Sequence, residues 1–402
     1  MSVASDHDVS LQQFPARALD AYGQVEFSRL DRKMAMFRTL PEKDRDLLPE
    51  FDQRLSALAE CIEQNTKLLS IMVQSASSIR APANSSLTPQ DERNGQRNGH
   101  TQPDAQNDRP DAGEHKTKKH HLTSNGTAPN QDPNTEENQF LSRQVRRGFA
   151  LLAKDWSADG AQQRAIYYHP LIEAVQHAYD EAVRASTSLT RNNFRVLVPG
   201  AGAGRLPWEL VRRGFMVEGC EASSSALLVG NYVLNNCTPD DAITVYPFVH
   251  EHSNVRSREQ VVRAVHVPDV NPKDIPPETD FSIRAGSFVE AYDGQDGTWD
   301  AVVSCMAFDL GESVISHVRR VSQVLKPGGT WAFVGPMPCL DGGQNDMIHL
   351  SVGEFMTIVR KNGFKMVKQD MVRCMHSSDP ESMRAVHVEC PLVVALKVRP
   401  AL

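Results

Sequence analysis

Apolar residues recur along this chain with two different periods, which separate a helical part from a strand-rich part. Between residues 17 and 76 the apolar positions lie three or four residues apart, as on one face of an α-helix. Pro41 interrupts the pattern, so two or three amphipathic helices are predicted. Further helices are predicted at 138–156 and 162–183, the second interrupted or kinked at Pro170. We expect the apolar faces to be core rather than a surface dedicated to a partner.

From Phe194 onward, short apolar runs alternate with helical segments. The predicted strands are 195–198, 216–220, 281–285, 299–304 and 330–334, and the predicted helices are 206–213, 222–235, 313–325 and 351–362. This alternation is typical of a doubly wound parallel sheet. A short strand at 243–249 and a long irregular excursion at 250–279 interrupt it. Two Val-rich segments, 365–374 and 386–398, have no long helix between them and predict an antiparallel edge. The pattern therefore predicts an α/β fold with a seven-stranded, Rossmann-like sheet and an N-terminal helical extension.

The composition changes sharply between residues 81 and 138. Polar residues and proline dominate there, and Leu87 and Leu122 are the only aliphatic side chains larger than alanine. Such a segment cannot bury enough apolar surface to offset the entropy lost on ordering. The predicted regions are a disordered tail (1–16), a helical region (17–80), a disordered linker (81–138) and the strand-rich domain (139–402).

Charge and cysteine usage exclude several classes of protein. The net charge of −7 argues against a protein that binds nucleic acid through phosphates, which would carry a basic surplus. Seven scattered cysteines without a Cys-x-x-Cys pair favour a reducing compartment over disulfides or a zinc site, so no metal is expected. Neither a signal peptide nor a membrane span is indicated. We expect a cytoplasmic protein with no membrane partner. The basic run at 116–121 is either a solvated charge cluster or a nuclear signal, which would add the nucleus.

The segment 196–205, with the sequence VLVPGAGAGR, is the main candidate for a binding site. A strand runs into glycines at alternate positions, Gly200, Gly202 and Gly204, where no Cβ separates the backbone N–H groups from a ligand. Glu221 ends the next strand about 20 residues on, where an acid can hold a ribose hydroxyl.

The spacing of these glycines bears on the identity of the cofactor. NAD-dependent dehydrogenases have Gly-x-Gly-x-x-Gly, and a P-loop would need a following Gly-Lys-Ser/Thr. The alternate glycines, together with the Lys-Pro-Gly-Gly turn at 326–329, favour S-adenosylmethionine. NAD-dependent oxidoreduction is disfavoured.

Several longer motifs resemble the carnosine N-methyltransferase family, and they cover most of the chain outside residues 1–16 and 81–138. They are Phe37–Pro41, Leu47–Phe51, Asp155–Ser157, Val198–Leu206, Trp208-Glu209, Asn231–Asn235, Tyr246-Pro247, His250, Ser253-Asn254, Pro268–Pro272 and Phe281-Ser282. The resemblance implies a methyltransferase-type sheet. It also implies methyl transfer from S-adenosylmethionine to an imidazole nitrogen of carnosine, giving anserine, or of a related histidine-containing dipeptide. Dimers formed through the N-terminal helices are a further implication.

The resemblance also implies roles for individual residues. Gly200 lies under the cofactor, Glu221 binds its ribose, and Phe288 and Cys305 flank the adenine and sulfonium region. Asp309 matches the substrate-binding Asp of the family and is the candidate catalytic residue. Its carboxylate could accept the second imidazole N–H and so set the tautomer. It could instead pair with the substrate ammonium, or only cap the following helix.

The sequence departs from the family at several positions. Ser287 replaces the Asp that contacts the adenine in the family. Leu340 stands near the position where the family has a substrate-contacting His, and His387 lies in a run that usually carries Tyr. Leu151 and Lys154 replace Gln and Arg. The predicted cofactor-binding residues are Lys154, Gly200, Gly202, Gly204, Glu221, Ser287, Phe288 and Cys305, and the predicted substrate-binding residues are Asp309, Leu340 and His387. Because the acceptor positions differ, a methyltransferase with another small-molecule or peptide acceptor and a non-catalytic cofactor-binding protein are the alternatives.

Overall fold

The computed structural model describes residues 13–78, 132–186, 188–251, 253–309, 313–337, 348, 350–375, 379 and 381–398. For Ser78 and Asp309 it describes the backbone and not the side chain. Most of the predicted linker, the basic run at 116–121, the first 12 residues of the predicted tail and Leu340 lie outside these ranges. The division into four regions therefore stays a prediction.

Helices and strands follow one another largely as the apolar pattern predicts. The helices are α1 (Phe14–Arg38), α2 (Glu42–Arg45), α3 (Phe51–Ser78), α4 (Glu136–Trp156), α5 (Ala161–Ala185), α6 (Arg205–Val211), α7 (Ser224–Asn236), α8 (Arg258–Val261), α9 (Phe288–Ala291), α10 (Val314–Val324) and α11 (Val352–Lys361). The strands are β1 (Arg195–Pro199), β2 (Met216–Glu221), β3 (Ile243–Val245), β4 (Val265–Val267), β5 (Phe281–Ala285), β6 (Trp299–Cys305), β7 (Leu325–Val334), β8 (Phe364–Met375) and β9 (His387–Lys397). No helix in these ranges has both the length and the apolar character that crossing a bilayer requires.

Seven strands form one sheet in the order β5-β2-β1-β6-β7-β9-β8. The first five of these strands are parallel, β9 runs antiparallel to β7, and β8 runs antiparallel to β9. The predicted doubly wound sheet with an antiparallel edge is confirmed. The strand order reverses at β1 and β6, and the crevice at the carboxyl ends of such strands is the usual ligand position.

Both faces of the sheet are covered by helices. Val196 and Val198 of β1 pack with Leu171 of α5 on one face, whereas Leu197 packs with Val318 of α10 on the other. A strand buried on both sides has no polar face, which explains the continuous apolar run before the glycines.

Three details differ from the predictions made from the pattern. α5 continues through Pro170 without interruption, because buried residues on both sides of the proline hold the helix against the sheet. β7 begins at Leu325, which pairs with Trp299 before an irregularity in the register, so the predicted start at residue 330 is late. The excursion at 250–279 contains α8 and β4, and β4 pairs antiparallel with β3.

The N-terminal helices α1 and α3 share one apolar core with α4 and α7. Tyr22 of α1, Leu58 of α3, Phe149 of α4 and Val229 of α7 belong to the same buried cluster. The expectation that the helical stripes are core is therefore confirmed for these faces.

A buried acid, Glu26 of α1, links the helices to the chain that follows β3. Its carboxylate accepts a hydrogen bond from the Ser142 hydroxyl of α4 and lies 3.2 Å from Nδ1 of His250. Nε2 of His250 lies 3.2 Å from the Tyr22 hydroxyl, which accepts from the Asn65 amide of α3. Burial lowers the pKa of His250 against the opposing effect of Glu26. The donors thus fit a neutral imidazole that carries its proton on Nδ1.

The ionised carboxylate of Glu26 is expected to stabilise the fold in a pH-dependent way. Burial raises the pKa of Glu26, but hydrogen bonds from His250 and Ser142 and the charge of Arg146 outweigh it and lower the pKa to about 2 from 4.5. The lowered pKa contributes roughly 3 kcal/mol of stability above pH 4.5, which is lost as the pH falls toward 2. Glu26→Gln should lower the free energy of unfolding by about that amount near neutral pH. It should also make the free energy of unfolding less dependent on pH in acid.

Urea unfolding near pH 7 and in moderate acid measures both effects. The control is Glu63→Gln, because Glu63 is an exposed acid of α3 that pairs only with Lys67 in the described ranges, and this substitution should change little. An unchanged acid dependence in Glu26→Gln would contradict the assignment.

Candidate functional site

The glycine turn lies at the carboxyl end of β1, between β1 and α6. Gly200, Gly202 and Gly204 have φ values of +70°, +56° and +82°, which side-chain-bearing residues rarely adopt. A Cβ at Gly204 would lie 2.8 Å from the Leu234 side chain of α7, and a Cβ at Gly200 would lie 3.1 Å from Cβ of Ala307 after β6. Backbone conformation and packing therefore both require glycine here.

Glu221 at the end of β2 is bound to this turn. It is 4% exposed, its Oε2 accepts the N–H of Gly202 at 2.7 Å, and its Oε1 accepts the N–H of Ser223 at 2.7 Å. Burial raises the pKa of Glu221, although these backbone donors oppose the rise. The predicted neighbours Glu221 and Gly202 are thus brought together, and each carboxylate oxygen keeps a lone pair for a ligand hydroxyl.

The end of α4 forms a second wall of the site. Asp155 is 3% exposed, and its Oδ1 accepts a hydrogen bond from the Tyr168 hydroxyl at 3.2 Å. Its Oδ2 is 3.4 Å from the position that a Cβ would take at Gly202. Lys154 is half-buried, with its ammonium 5.3 Å from the centre of the Tyr167 ring. The structure brings the predicted residue Lys154 to the site, and Asp155 with it.

Two buried arginines hold the end of α4 through hydrogen bonds to Asp269 and to backbone carbonyls. Asp269 accepts hydrogen bonds from Arg164 of α5 at 2.5 Å and from Arg205 of α6 at 2.6 Å. Arg164 also donates to the carbonyl of Lys154 and Arg205 to the carbonyl of Asp155, at 2.8 and 2.9 Å. Three of the motifs that carry the family resemblance, the Asp-Trp-Ser, Pro-Asp-Val and Gly-Arg-Leu motifs, therefore meet in one hydrogen-bonded cluster.

Two glycines outside the turn allow the surrounding helices to approach it. A Cβ at Gly230 of α7 would lie 2.9 Å from the carbonyl oxygen of Ala203, and a Cβ at Gly160 would lie 1.8 Å from that of Lys154. Neither glycine is predicted as a site residue from the sequence. A glycine inside a helical pattern, as at Gly230, is the signal that could have found the first.

Ser287 and Phe288 lie at the end of β5, beside the acid of β2. The N–H of Gly286 donates to the carbonyl of Glu221 at 2.8 Å, which joins the two strand ends. The Ser287 hydroxyl caps the short helix α9, and the buried Phe288 ring packs against His317 at a centroid distance of 4.8 Å. Both predicted residues thus reach the same edge as Glu221, and Ser287 also has a structural role.

The end of β6 carries the next two predicted residues. Burial raises the pKa of the Cys305 thiol to about 12, with Lys154 opposing and Asp155 adding to the rise, so Cys305 is close to the wall formed by α4. Asp309 ends the 3₁₀ turn that follows β6. Ser313, and not Asp309, occupies the N-cap position of α10, so the capping alternative for Asp309 is wrong for this helix.

His387 lies in the described part of the chain, whereas Leu340 lies outside it. His387 begins β9, is exposed, and pairs with Met375 of β8. The carbonyl of Met375 accepts the Tyr167 hydroxyl at 2.7 Å, so this end of the strand pair reaches α5. Within the described ranges no hydrogen bond connects His387 to the glycine turn, and Leu340 lies outside those ranges.

Comparisons with known proteins agree with the resemblance. A family model described as carnosine N-methyltransferase matches residues 131–398. A carnosine N-methyltransferase of Rattus norvegicus is 27% identical over 379 residues, which cover 94% of this chain and 83% of the rat protein. The carnosine N-methyltransferase unmet of Drosophila melanogaster is 28% identical over 366 residues, which cover 90% of this chain and 74% of the fly protein.

Proposed function

This chain belongs to the carnosine N-methyltransferase family, and we propose that it transfers the methyl group of S-adenosylmethionine to an imidazole nitrogen of carnosine or a related histidine-containing dipeptide. The observation that carries the proposal is the buried Glu221 carboxylate, held on the N–H of Gly202 at the carboxyl edge of the parallel strands. The family match spans every residue assigned to this site.

The residues present fit S-adenosylmethionine. The Glu221 oxygens suit the two ribose hydroxyls, and the glycine turn lets the backbone approach a ligand closely. Ser287 and Phe288 stand where the adenine would follow the ribose, and Lys154 offers a cation to the carboxylate at the other end. When bound, this cofactor supplies a methyl group on a sulfonium, which is already activated for attack by a nucleophile.

Because the methyl donor is activated, the protein mainly has to align the acceptor and exclude water. A neutral imidazole attacks through its unprotonated nitrogen. The backbone of Asp309 lies just after β6, at the carboxyl edge of the sheet. We propose that Asp309 accepts the other ring N–H and stabilises the positive charge that develops. The alternative role for Asp309 is to bind the ammonium of the substrate.

A methyl-transfer assay with carnosine, homocarnosine and histidine tests the proposal. Asp309→Asn is expected to lower kcat/KM for the preferred acceptor by roughly 100-fold, because a charged hydrogen-bond acceptor is lost in the transition state. Its affinity for S-adenosylmethionine should stay within about twofold of the original value. The matched control is Asp293→Asn, because Asp293 is an exposed acid that pairs with Arg320.

The same assay separates the alternative functions. Transfer only to another small molecule or peptide would indicate a different acceptor, in line with the changes at Leu340 and His387. Cofactor binding without transfer to any acceptor would indicate a non-catalytic protein. Tight binding of NAD, without binding of S-adenosylmethionine, would overturn the proposed function.

We also propose that the protein forms a homodimer through its N-terminal helices. An apolar groove of about 430 Å³ lies between the end of α1 and the start of α3, with Met36, Leu48 and Phe51 in its wall. Met36 is 70% exposed, which is unusual for a large apolar side chain beside a groove.

Met36→Glu is therefore expected to weaken self-association by at least about tenfold, because it places a charge in an apolar contact. Light scattering after size exclusion measures the mass over a range of concentrations. Val367→Glu, at an exposed apolar position of β8, is the control. A monomer at every concentration of the unaltered protein would refute the dimer.

We propose that the protein is located in the cytoplasm. A cytoplasmic location rests on the scattered cysteines, which suit a reducing compartment. The nucleus is a second location if the basic run at 116–121 acts as a signal. Imaging a tagged chain with and without this run tests both locations.

A further inference from the structure

Asp155 has fewer hydrogen bonds and ion pairs to compensate its charge than the other buried acids of the described residues have. The acidic residues buried in the described part of the chain are Glu26, Asp155, Glu221 and Asp379. Glu26 and Asp379 pair with arginine and accept further hydrogen bonds, and Glu221 accepts two backbone N–H groups. Within the described ranges Asp155 accepts one side-chain hydrogen bond, from Tyr168, and forms no ion pair. A buried carboxylate with one neutral donor is unfavourable unless a ligand completes its environment.

The positively charged side chains near Asp155 interact with other groups. Arg164 and Arg205 direct their guanidinium groups at Asp269 and at backbone carbonyls. The Lys154 ammonium lies over the Tyr167 ring. Burial raises the pKa of Asp155, whereas Lys154 and Arg164 lower it only in part. The protein therefore surrounds this carboxylate with positive charge without neutralising it by contact.

Oδ2 of Asp155 lies beside the glycine turn. It is 3.4 Å from the Cβ position of Gly202, whose N–H binds Glu221. Ribose bound at Glu221 would direct the amino-acid end of the cofactor along the glycine turn, toward the end of α4. That end carries an ammonium with three N–H donors and a carboxylate. Asp155 and Lys154 are adjacent and present the complementary negative and positive charges.

We propose that Asp155 binds the α-ammonium of the amino-acid end of the cofactor, and so acts as a cofactor-binding residue beside Lys154. This inference rests on the proposed function, because it requires S-adenosylmethionine at the glycine turn. The charge-assisted hydrogen bond would discriminate a complete cofactor from one that lacks its amino-acid part. Asp155 would thereby set which adenosyl compounds the site retains.

The test compares two ligands with a neutral thioether, S-adenosylhomocysteine and 5′-methylthioadenosine. Only the first carries the amino-acid end. Asp155→Asn is expected to weaken the binding of S-adenosylhomocysteine by roughly 10- to 100-fold, because a charged hydrogen bond is lost. Titration calorimetry measures this affinity. Binding of 5′-methylthioadenosine should change less than about twofold. Asp159→Asn, four residues later at an acid that pairs with Arg263, is the matched control and should bind both ligands as the unaltered protein does.

Each outcome decides between the two proposals. If the unaltered protein binds neither ligand, the proposed function fails. If it binds both and Asp155→Asn affects them equally, the ammonium assignment fails while the function stands. If Asp155→Asn weakens S-adenosylmethionine and leaves S-adenosylhomocysteine unchanged, the carboxylate faces the sulfonium, and the assignment is again overturned.

The melting temperature of the ligand-free Asp155→Asn variant shows whether the variant is still folded. Asn has the shape of Asp without the buried charge, so the ligand-free variant should melt at the same temperature as the unaltered protein or higher. A clearly lower melting temperature would mean that Asp155 is structural, which also overturns the inference.

Discussion

Glu221→Gln is expected to weaken S-adenosylmethionine binding by roughly 100-fold or more. A carboxylate that accepts two ribose hydroxyls contributes two charge-assisted hydrogen bonds, each about 1.5–3 kcal/mol. The amide keeps the size of the side chain, but its NH2 group would face a backbone donor, since the two oxygens of Glu221 accept from Gly202 and Ser223. The loss should be equal for S-adenosylhomocysteine and 5′-methylthioadenosine, because both contain the ribose.

The control is Glu218→Gln on the same strand. Glu218 pairs with Arg284 and with the Tyr292 hydroxyl, and it does not reach the glycine turn by a hydrogen bond in the described ranges. Its substitution should leave cofactor affinity within about threefold, because its partners are Arg284 and Tyr292 and not the turn. An effect of Glu221→Gln no larger than that of Glu218→Gln would remove Glu221 from the cofactor site.

Gly160→Ala is expected to lower the free energy of unfolding by about 3 kcal/mol or more, the upper range for overpacking a buried position. The added Cβ would lie 1.8 Å from the carbonyl oxygen of Lys154 and 2.7 Å from Nη1 of Arg164. Arg164 donates to that carbonyl, so the end of α4 cannot move without losing the bond. Because Lys154 and Asp155 lie there, the variant should also bind S-adenosylhomocysteine more weakly.

Urea unfolding and calorimetry measure the two effects of Gly160→Ala. Gly353→Ala in α11 is the matched control, because the nearest atom to its added Cβ is 4.0 Å away. Alanine there should stabilise the helix by up to about 1 kcal/mol. If Gly160→Ala lowers the free energy of unfolding by less than about 1 kcal/mol, the end of α4 can move to accommodate the added Cβ, and the prediction is wrong.

The predictions share a structural cause, since the proposed cofactor site is built from segments that are distant in the sequence. The end of α4, the glycine turn and the end of β2 contribute Asp155, Gly202 and Glu221 respectively. The N–H of Gly202 donates to Glu221, and a Cβ added at Gly202 would lie 3.4 Å from Oδ2 of Asp155, so both acids lie beside the turn. A change at any of the three is therefore expected to be felt at the other two.

The sequence by itself determined the type of sheet and its main ligand loop. Alternation of strands and helices predicted the parallel sheet, and the Val-rich end predicted its antiparallel edge. Glycines at alternate positions predicted the turn, and the spacing to Glu221 predicted the partner acid. These features follow from the sequence because they depend on backbone conformation and apolar period, which nearby residues set.

The tertiary structure alone decided the rest. The Asp155–Ser157 motif carries the family resemblance without assigning Asp155 a role, and only the approach of α5 and the glycine turn buries this acid. From the sequence, Gly160 resembles an ordinary loop residue. Only the structure shows that the carbonyl of Lys154 leaves no room for a Cβ there. Pro170 predicts an interruption or a kink, and packing of α5 on the sheet keeps the helix uninterrupted there. The burial of a side chain and the compensation of its charge depend on which distant segments are in contact. The apolar period along the chain does not predict those contacts.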